Sequence, residues 1–156
     1  MERRPLGKTG LQVGVVGLGT EHLEQKSETM DAVLHAAVDA GTNYVDLLYV
    51  EPEYWDTFGR VFQAYRDHLV LAAHWGSGPR YDLDYCRHTF DNMLSSVGND
   101  CVEVAMMTMI DDGDRAGQAW REASLEELRR YQERGQVHLI GGSAHDPTVA
   151  AEAVAS

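Results

Sequence analysis

Lysine is nearly missing from this chain. Of 156 residues only Lys8 and Lys26 carry an ammonium group, against 25 acidic side chains, and the net charge is -12 at pH 7. Such a surface excludes a nucleic-acid partner, because phosphates are gripped by clustered Lys and Arg and the eleven arginines here are scattered. Long apolar runs are missing too. No stretch approaches the ~20 residues that a membrane span needs, and "MERRPLGKTG" has charge with no apolar segment behind it, unlike a signal peptide. Cysteine is limited to Cys86 and Cys101, which form no CxxC and have no His at ligand spacing. That argues against a zinc motif or a disulfide framework and for reduced packing residues in a cytoplasm.

What is present is a globular composition. At 44% hydrophobic and 24% charged, the chain is long enough for one domain with a core and too short for two. We expect a single domain over residues 1–156. "RRPLGKTGLQVG" reads as a hairpin turning on Gly7 to Gly10. After it, strand-like and helix-like segments alternate. "VGVVGLGT" is an apolar run closed by glycines, expected as a strand buried on both faces. Ser27 is expected to cap a helix with Met30, Val33, Leu34, Ala37 and Val38 on one face, stopped by Gly41. "NYVDLL" is a second buried strand. A helix then starts near Pro52 and buries Trp55, Phe58, Val61 and Phe62.

"HLVLAAHWG" is a third strand. A helix follows with Tyr85, Phe90, Met93, Leu94 and Val97 at helical spacing, ended by Gly98. "CVEVAMMTMI" is a fourth strand, its methionines Met106, Met107 and Met109 serving as soft core filler. "SLEELRRYQERG" is a charged helix with a solvated face of i,i+4 pairs. "VHLIGGS" is a fifth strand, and "DPTVAAEAVAS" opens a last helix. Five strand–helix units imply a parallel sheet, either doubly wound or part of a barrel. "GLGT" lacks the G-x-G-x-x-G spacing of a dinucleotide-binding turn, and the polar residues of interest fall at the carboxyl ends of several strands, as in barrels. The expected fold is therefore α/β: a partial (β/α)8 TIM barrel of about five βα units preceded by a short N-terminal β-hairpin.

In order and spacing, "RRPLGKTGLQVGVVGLGT", "AAVDAGTNYVDL", "YRDHLVLAAHWG", "VGNDCVEVAMMTMID" and "QERGQVHLIGGSAHDP" resemble the aldo-keto reductases. The "GTEHL" and "SAHDP" segments look most like a divergent branch of predicted oxidoreductases whose longer members carry a C-terminal ferredoxin-like segment. The resemblance implies a barrel that binds NADP or NAD in extended form and reduces a small-molecule carbonyl. It also implies that a tyrosine donates the proton, tuned by a lysine and an aspartate, with a histidine orienting the carbonyl. A free phenol of pKa ≈ 10 is a poor acid at neutral pH without such help.

Carried across by position, the aspartate is Asp46. The tyrosine position holds Glu51, with Tyr49 and Tyr54 on either side of it. The lysine position holds His74 and the histidine position Thr108. On the cofactor side the matching residues are Thr20, Asp46 and Ser143, with Ala144 where an asparagine is usual. Phosphate and adenosine contacts would come from strands past the fifth.

The candidate catalytic residues are thus Asp46, His74, Tyr49, Tyr54, Glu51 and Thr108, with imidazole standing in for ammonium. The plainer reading has Asp46 and His74 simply bonding the barrel rim. His22, His74 and His145, with Glu21, Asp111 and Asp146 nearby, have nitrogen and oxygen donors but no metal-motif spacing, so no metal is expected. A complete barrel takes ~250 residues. The chain is therefore read as truncated, its open side covered in a homo-oligomer or by a second chain. Two alternatives to the reductase stay open: a catalytically inactive relative acting as a binding or scaffold protein, and a non-redox lyase or isomerase using Glu51 and His74.

Overall fold

The computed structural model describes residues 1–23, 26–48, 55–77, 80–97, 101–111 and 117–155. An antiparallel hairpin, β1 (Arg3–Pro5) and β2 (Gln12–Gly14), is followed by β3 (Leu18–Gly19), α1 (Ser27–Asp39), β4 (Tyr44–Leu47), α2 (Trp55–Tyr65), a 3-10 turn (Arg66–His68) and β5 (Val70–Trp75). Then come α3 (Leu83–Ser96), β6 (Val102–Met107), α4 (Gln118–Glu133), β7 (Val137–Gly142) and α5 (Pro147–Ala155). The five strands β3 to β7 form one parallel sheet in the order β3-β4-β5-β6-β7. Each strand lies beside its predecessor. A doubly wound sheet would instead reverse around its first strand, so this single winding is the layout of a barrel.

Alternation along the strands separates two faces. Val45, Leu47, Leu71, Ala73, Trp75 and Ala105 join the core beneath the helices. Tyr44, Asp46, Ala72, His74, Val104 and Met106 have the opposite parity, and the register aligns Asp46 with Ala72 and His74 with Met106. Trp75, Phe90 and Tyr131 meet edge to face, with centroids 5.1 to 6.0 Å apart, pinning α3 and α4 to β5. Such pairs contribute about 1 kcal/mol each beyond the area they bury.

Gly41, at φ +90°, closes α1: its N–H donates to Val38 O and that of Thr42 to Ala37 O, the paired bonds of a Schellman motif. At Gly59 a Cβ would stand 2.1 Å from the Ser96 carbonyl oxygen, so only glycine lets α2 approach the end of α3 this closely.

Some expectations change. The first barrel strand is only Leu18–Gly19, and Val15 and Val16 stand 47% and 57% exposed. The reason is positional: among the described strands β3 pairs only with β4, so this run lies at an edge and is not covered on both sides. Lys26, not Ser27, occupies the N-cap of α1, without a side-chain cap bond. Along α3 the buried positions are Cys86, Phe90, Met93, Leu94 and Val97; Tyr85 is half-exposed, with the Arg80 guanidinium 5.4 Å from its ring centroid.

The charged α4 carries its pairs outward, Arg130 to Glu126 at 2.6 Å, and buries Leu128 and Tyr131 inward. Met106 and Met107 are only half-buried, and Met109 lies past the end of β6 in a left-handed turn at φ +46°. Pro52 and Gly98 lie outside the described residues. Among the described residues, no helix is long and apolar enough to cross a membrane.

Candidate active site

The carboxyl ends of β4, β5, β6 and β7 bring Asp46, His74, Thr108 and Ser143 to one end of the sheet. Parity puts Asp46 and His74 on one face, and their strands are hydrogen-bonded neighbours. His74 Nε2 lies 2.8 Å from Asp46 Oδ1, with the His74 side chain 2% exposed and that of Asp46 37%. The approach is close but not aligned as a hydrogen bond. Both atoms are buried, and neither has a hydrogen-bond partner among the described residues.

On the other side of the ring, His74 Nδ1 is 3.2 Å from Thr108 Oγ1. Thr108 itself is fully buried, its N–H held by the Trp75 carbonyl at 3.0 Å. With Thr108 O–H donating to Nδ1, a neutral ring carries its proton on Nε2, the side nearest the carboxylate. A protonated ring would donate on both sides. The three side chains make a line from a buried hydroxyl, through a buried imidazole, to a carboxylate that reaches solvent.

Tyr44, two residues before Asp46 on the same face, was not among the expected site residues, although strict alternation along "NYVDLL" places it there. Burial raises its phenol above the usual range, and the nearby Asp46 charge adds to the effect. Tyr49, Glu51 and Tyr54 lie outside the described residues.

Thr20 and Ser143 both bond backbone groups. The Thr20 hydroxyl donates toward the carbonyls of Asp46 (3.0 Å) and Leu48 (2.9 Å), and it accepts the Leu48 N–H at 2.9 Å. Thr20 is 2% exposed, and its hydroxyl, with its proton already committed to backbone carbonyls, ties β3 to β4. Ser143 Oγ accepts the Met109 N–H at 2.9 Å, which leaves its own proton to give. Non-glycine residues resist the left-handed conformation of Met109 by about 1–2 kcal/mol, and this bond helps hold it there.

Asp111 Oδ2 accepts the N–H groups of His145 (2.7 Å) and Asp146 (2.5 Å). The Asp146 bond first, then Asp111's own backbone N–H and the bond from His145, holds the Asp111 carboxyl below the usual carboxylate range against the opposing effect of burial. His145 Nδ1 stands 3.9 Å from Asp111 Oδ1. Among the described residues no three His, Cys, Asp or Glu side chains stand together as metal ligands.

For a nicotinamide, the donors on this rim fit one end. Ser143 offers a hydroxyl proton to a carboxamide oxygen, and Asp46, three strands away along the same rim, offers a partly exposed carboxylate. For the phosphates the rim is poor: Arg80, on the loop after β5, is already paired with Asp82 at 2.8 Å. A depression of about 510 Å³ lies at the opposite end of the sheet, between the hairpin and the strand starts, lined by Arg66, Cys101, Glu103 and His138. It belongs to the floor of the fold and not to this site.

Comparison with known proteins fits this geometry. The model of the aldo/keto reductase family matches residues 10–156. A Bacillus subtilis (strain 168) protein named "Uncharacterized oxidoreductase YqkF" is 26% identical over 145 residues, which is 84% of this chain and 47% of that protein. The holo form of aldo-keto reductase AKR11C1 from Bacillus halodurans superposes with a TM-score of 0.78 at 20% identity, over 99% of this chain and 54% of that one. An aldo-keto reductase from Klebsiella pneumoniae in complex with NADPH gives a TM-score of 0.69 at 19% identity, over 89% of this chain and 48% of that one. The chain spans about half the length of these relatives.

Proposed function

The chain belongs to the aldo/keto reductase family, and on that premise we propose that it is an oxidoreductase that reduces a small carbonyl compound with NADPH or NADH through an altered set of catalytic residues. The observation that carries the reading is the 2.8 Å contact of His74 Nε2 with Asp46 Oδ1 at the carboxyl ends of adjacent strands. The nicotinamide, when bound, supplies the hydride, and the rest falls to residues of this chain.

Ser143 holds the carboxamide through its free proton. Tyr49 or Tyr54 gives its proton to the carbonyl oxygen, with Glu51 in its acid form as the other donor near that oxygen. Asp46 faces the reacting groups. His74, too buried to touch substrate, supports the charge on Asp46 and takes the place of a lysine ammonium. Thr108 fixes the ring. Thr20 holds the end of β4 at the cofactor side of the rim.

The chain is further proposed to be a single barrel-type domain whose open side is covered by a second copy or a second polypeptide, since β7 pairs only with β6 among the described strands. Cys86 and Cys101 are not in a disulfide, which supports a reducing cytoplasm. Calorimetric titration with NADPH and with NADH tests the reading. Saturable binding of one of them, with turnover of small aldehydes, is expected; flat titrations with both would overturn it.

A second reading, a non-catalytic binding relative, draws on the burial of His74 and the backbone bonds of the Thr20 hydroxyl. It predicts that Asp46→Asn and His74→Ala leave cellular function intact.

A further inference from the structure

We propose that Ser143 is a positioning residue: by holding Met109 in its left-handed turn, it keeps Thr108 on His74 and so sets which ring nitrogen carries the proton. The inference rests on the reading that this rim is the working site. β6 ends at Met107, and the chain must turn at once if the Thr108 hydroxyl is to stay against the imidazole.

Ser143 grips that turn at three points. Its N–H donates to the Met107 carbonyl at 2.9 Å, its carbonyl accepts the Ile110 N–H at 2.8 Å, and its Oγ accepts the Met109 N–H at 2.9 Å. The first two continue the backbone pairing of β6 with β7, and any residue could make them. Only the third needs a side chain, and it falls on the one described non-glycine residue with a positive φ, Met109 at +46°.

Thr108 stands one peptide before that residue, with its Oγ1 3.2 Å from His74 Nδ1. If Met109 relaxed into the right-handed region, the path from Thr108 to Ile110 would be redirected and the hydroxyl drawn off the ring. Among the described residues Ser143 Oγ only accepts, and its proton points to a ligand oxygen. A ligand bound there would polarise the same chain of bonds and tighten it, linking occupancy of the rim to the orientation of His74.

The test is imidazole nitrogen–proton NMR on the whole chain without cofactor, with His74 assigned by the signals lost in His74→Asn. In the wild type a single tautomer protonated at Nε2 is expected. Ser143→Ala should move His74 toward averaged tautomers and lower the melting temperature by about 3 °C. Ser143→Thr should keep the wild-type signals. Adding Met109→Gly to Ser143→Ala should restore them, because glycine adopts the left-handed conformation without help.

Unchanged His74 signals in Ser143→Ala, or no restoration by Met109→Gly, would overturn the proposal. If Ser143→Ala fails to fold, Met109→Gly and Met109→Gly/Ser143→Ala are compared: matching His74 spectra support the clamp, and differing spectra refute it. No cofactor enters the experiment, so failure of the reductase reading would leave its result standing.

Discussion

The two ends of the parallel sheet treat polar groups in opposite ways. At the amino end, Asn43 Nδ2 donates to Gln12 O and its Oδ1 accepts the Gly14 N–H, stitching the hairpin to the sheet. Arg66 donates to Glu103, to the Cys101 carbonyl and to the Leu69 carbonyl, and the other Glu103 oxygen takes the Leu71 N–H at 2.7 Å. Among the described residues there, Arg66 Nε is left over. At the carboxyl end, Asp46 Oδ1, His74 Nε2 and Asp111 Oδ1 are all buried without a hydrogen bond among the described residues. Saturated buried polar groups hold a fold together, whereas unsatisfied ones call for another explanation. In barrels the carboxyl end is where that explanation is chemistry.

The largest effect that could break this contrast is at the amino end. Glu103→Ala leaves a buried guanidinium without its anion, and denaturant unfolding should show a loss of about 3 kcal/mol, with turnover per folded molecule unchanged. Replacing both partners, Arg66→Met with Glu103→Leu, should recover most of that loss; a double variant as unstable as the single would show that the pair is not the cause.

Next comes Thr20→Val, which strips the Leu48 N–H of its acceptor and should cost about 1–2 kcal/mol. Cofactor affinity should not change. A raised cofactor KM with stability intact would move Thr20 into the binding site.

Smaller effects follow from two titrating groups. The Asp111 carboxyl is held below its usual value, so its contribution is complete above the unfolded carboxyl pKa of about 3.9 and is lost as pH falls through the lower folded value. Asp111→Asn should flatten the acid limb of a stability–pH curve. The Tyr131 phenol is shifted the other way, raised by burial first and then by its bond to Asp91. Its contribution is therefore complete below a pH of about 10 and declines as pH rises above it. Tyr131→Phe should lose that alkaline slope, and an unaltered slope would assign it to other groups.

The order of elements and the barrel-type winding were legible in the sequence because each rests on local signals: glycine-closed apolar runs, helical spacing around Phe58 and Phe90, and polar residues at strand ends. The first barrel strand misled because composition does not reveal an edge; Val15 and Val16 are as apolar as any core pair. The meeting of Asp46 with His74 was anticipated from strand ends and family spacing together.

The backbone bonds of Thr20 and Ser143 were not legible. Their hydroxyls bond backbone groups 28 and 34 residues away in sequence, and no periodicity encodes such a contact. Tyr44 could have been found, since alternation alone puts it on the face of Asp46.

The most direct measurement takes folding stability and carbonyl-reducing turnover from the same preparation of Asp46→Asn. If the carboxyl rim exists for chemistry, stability should move by less than about 1 kcal/mol while turnover falls by about 100-fold or more. A loss of several kcal/mol with turnover intact would make Asp46 a structural group like Glu103 and remove the contrast between the two ends.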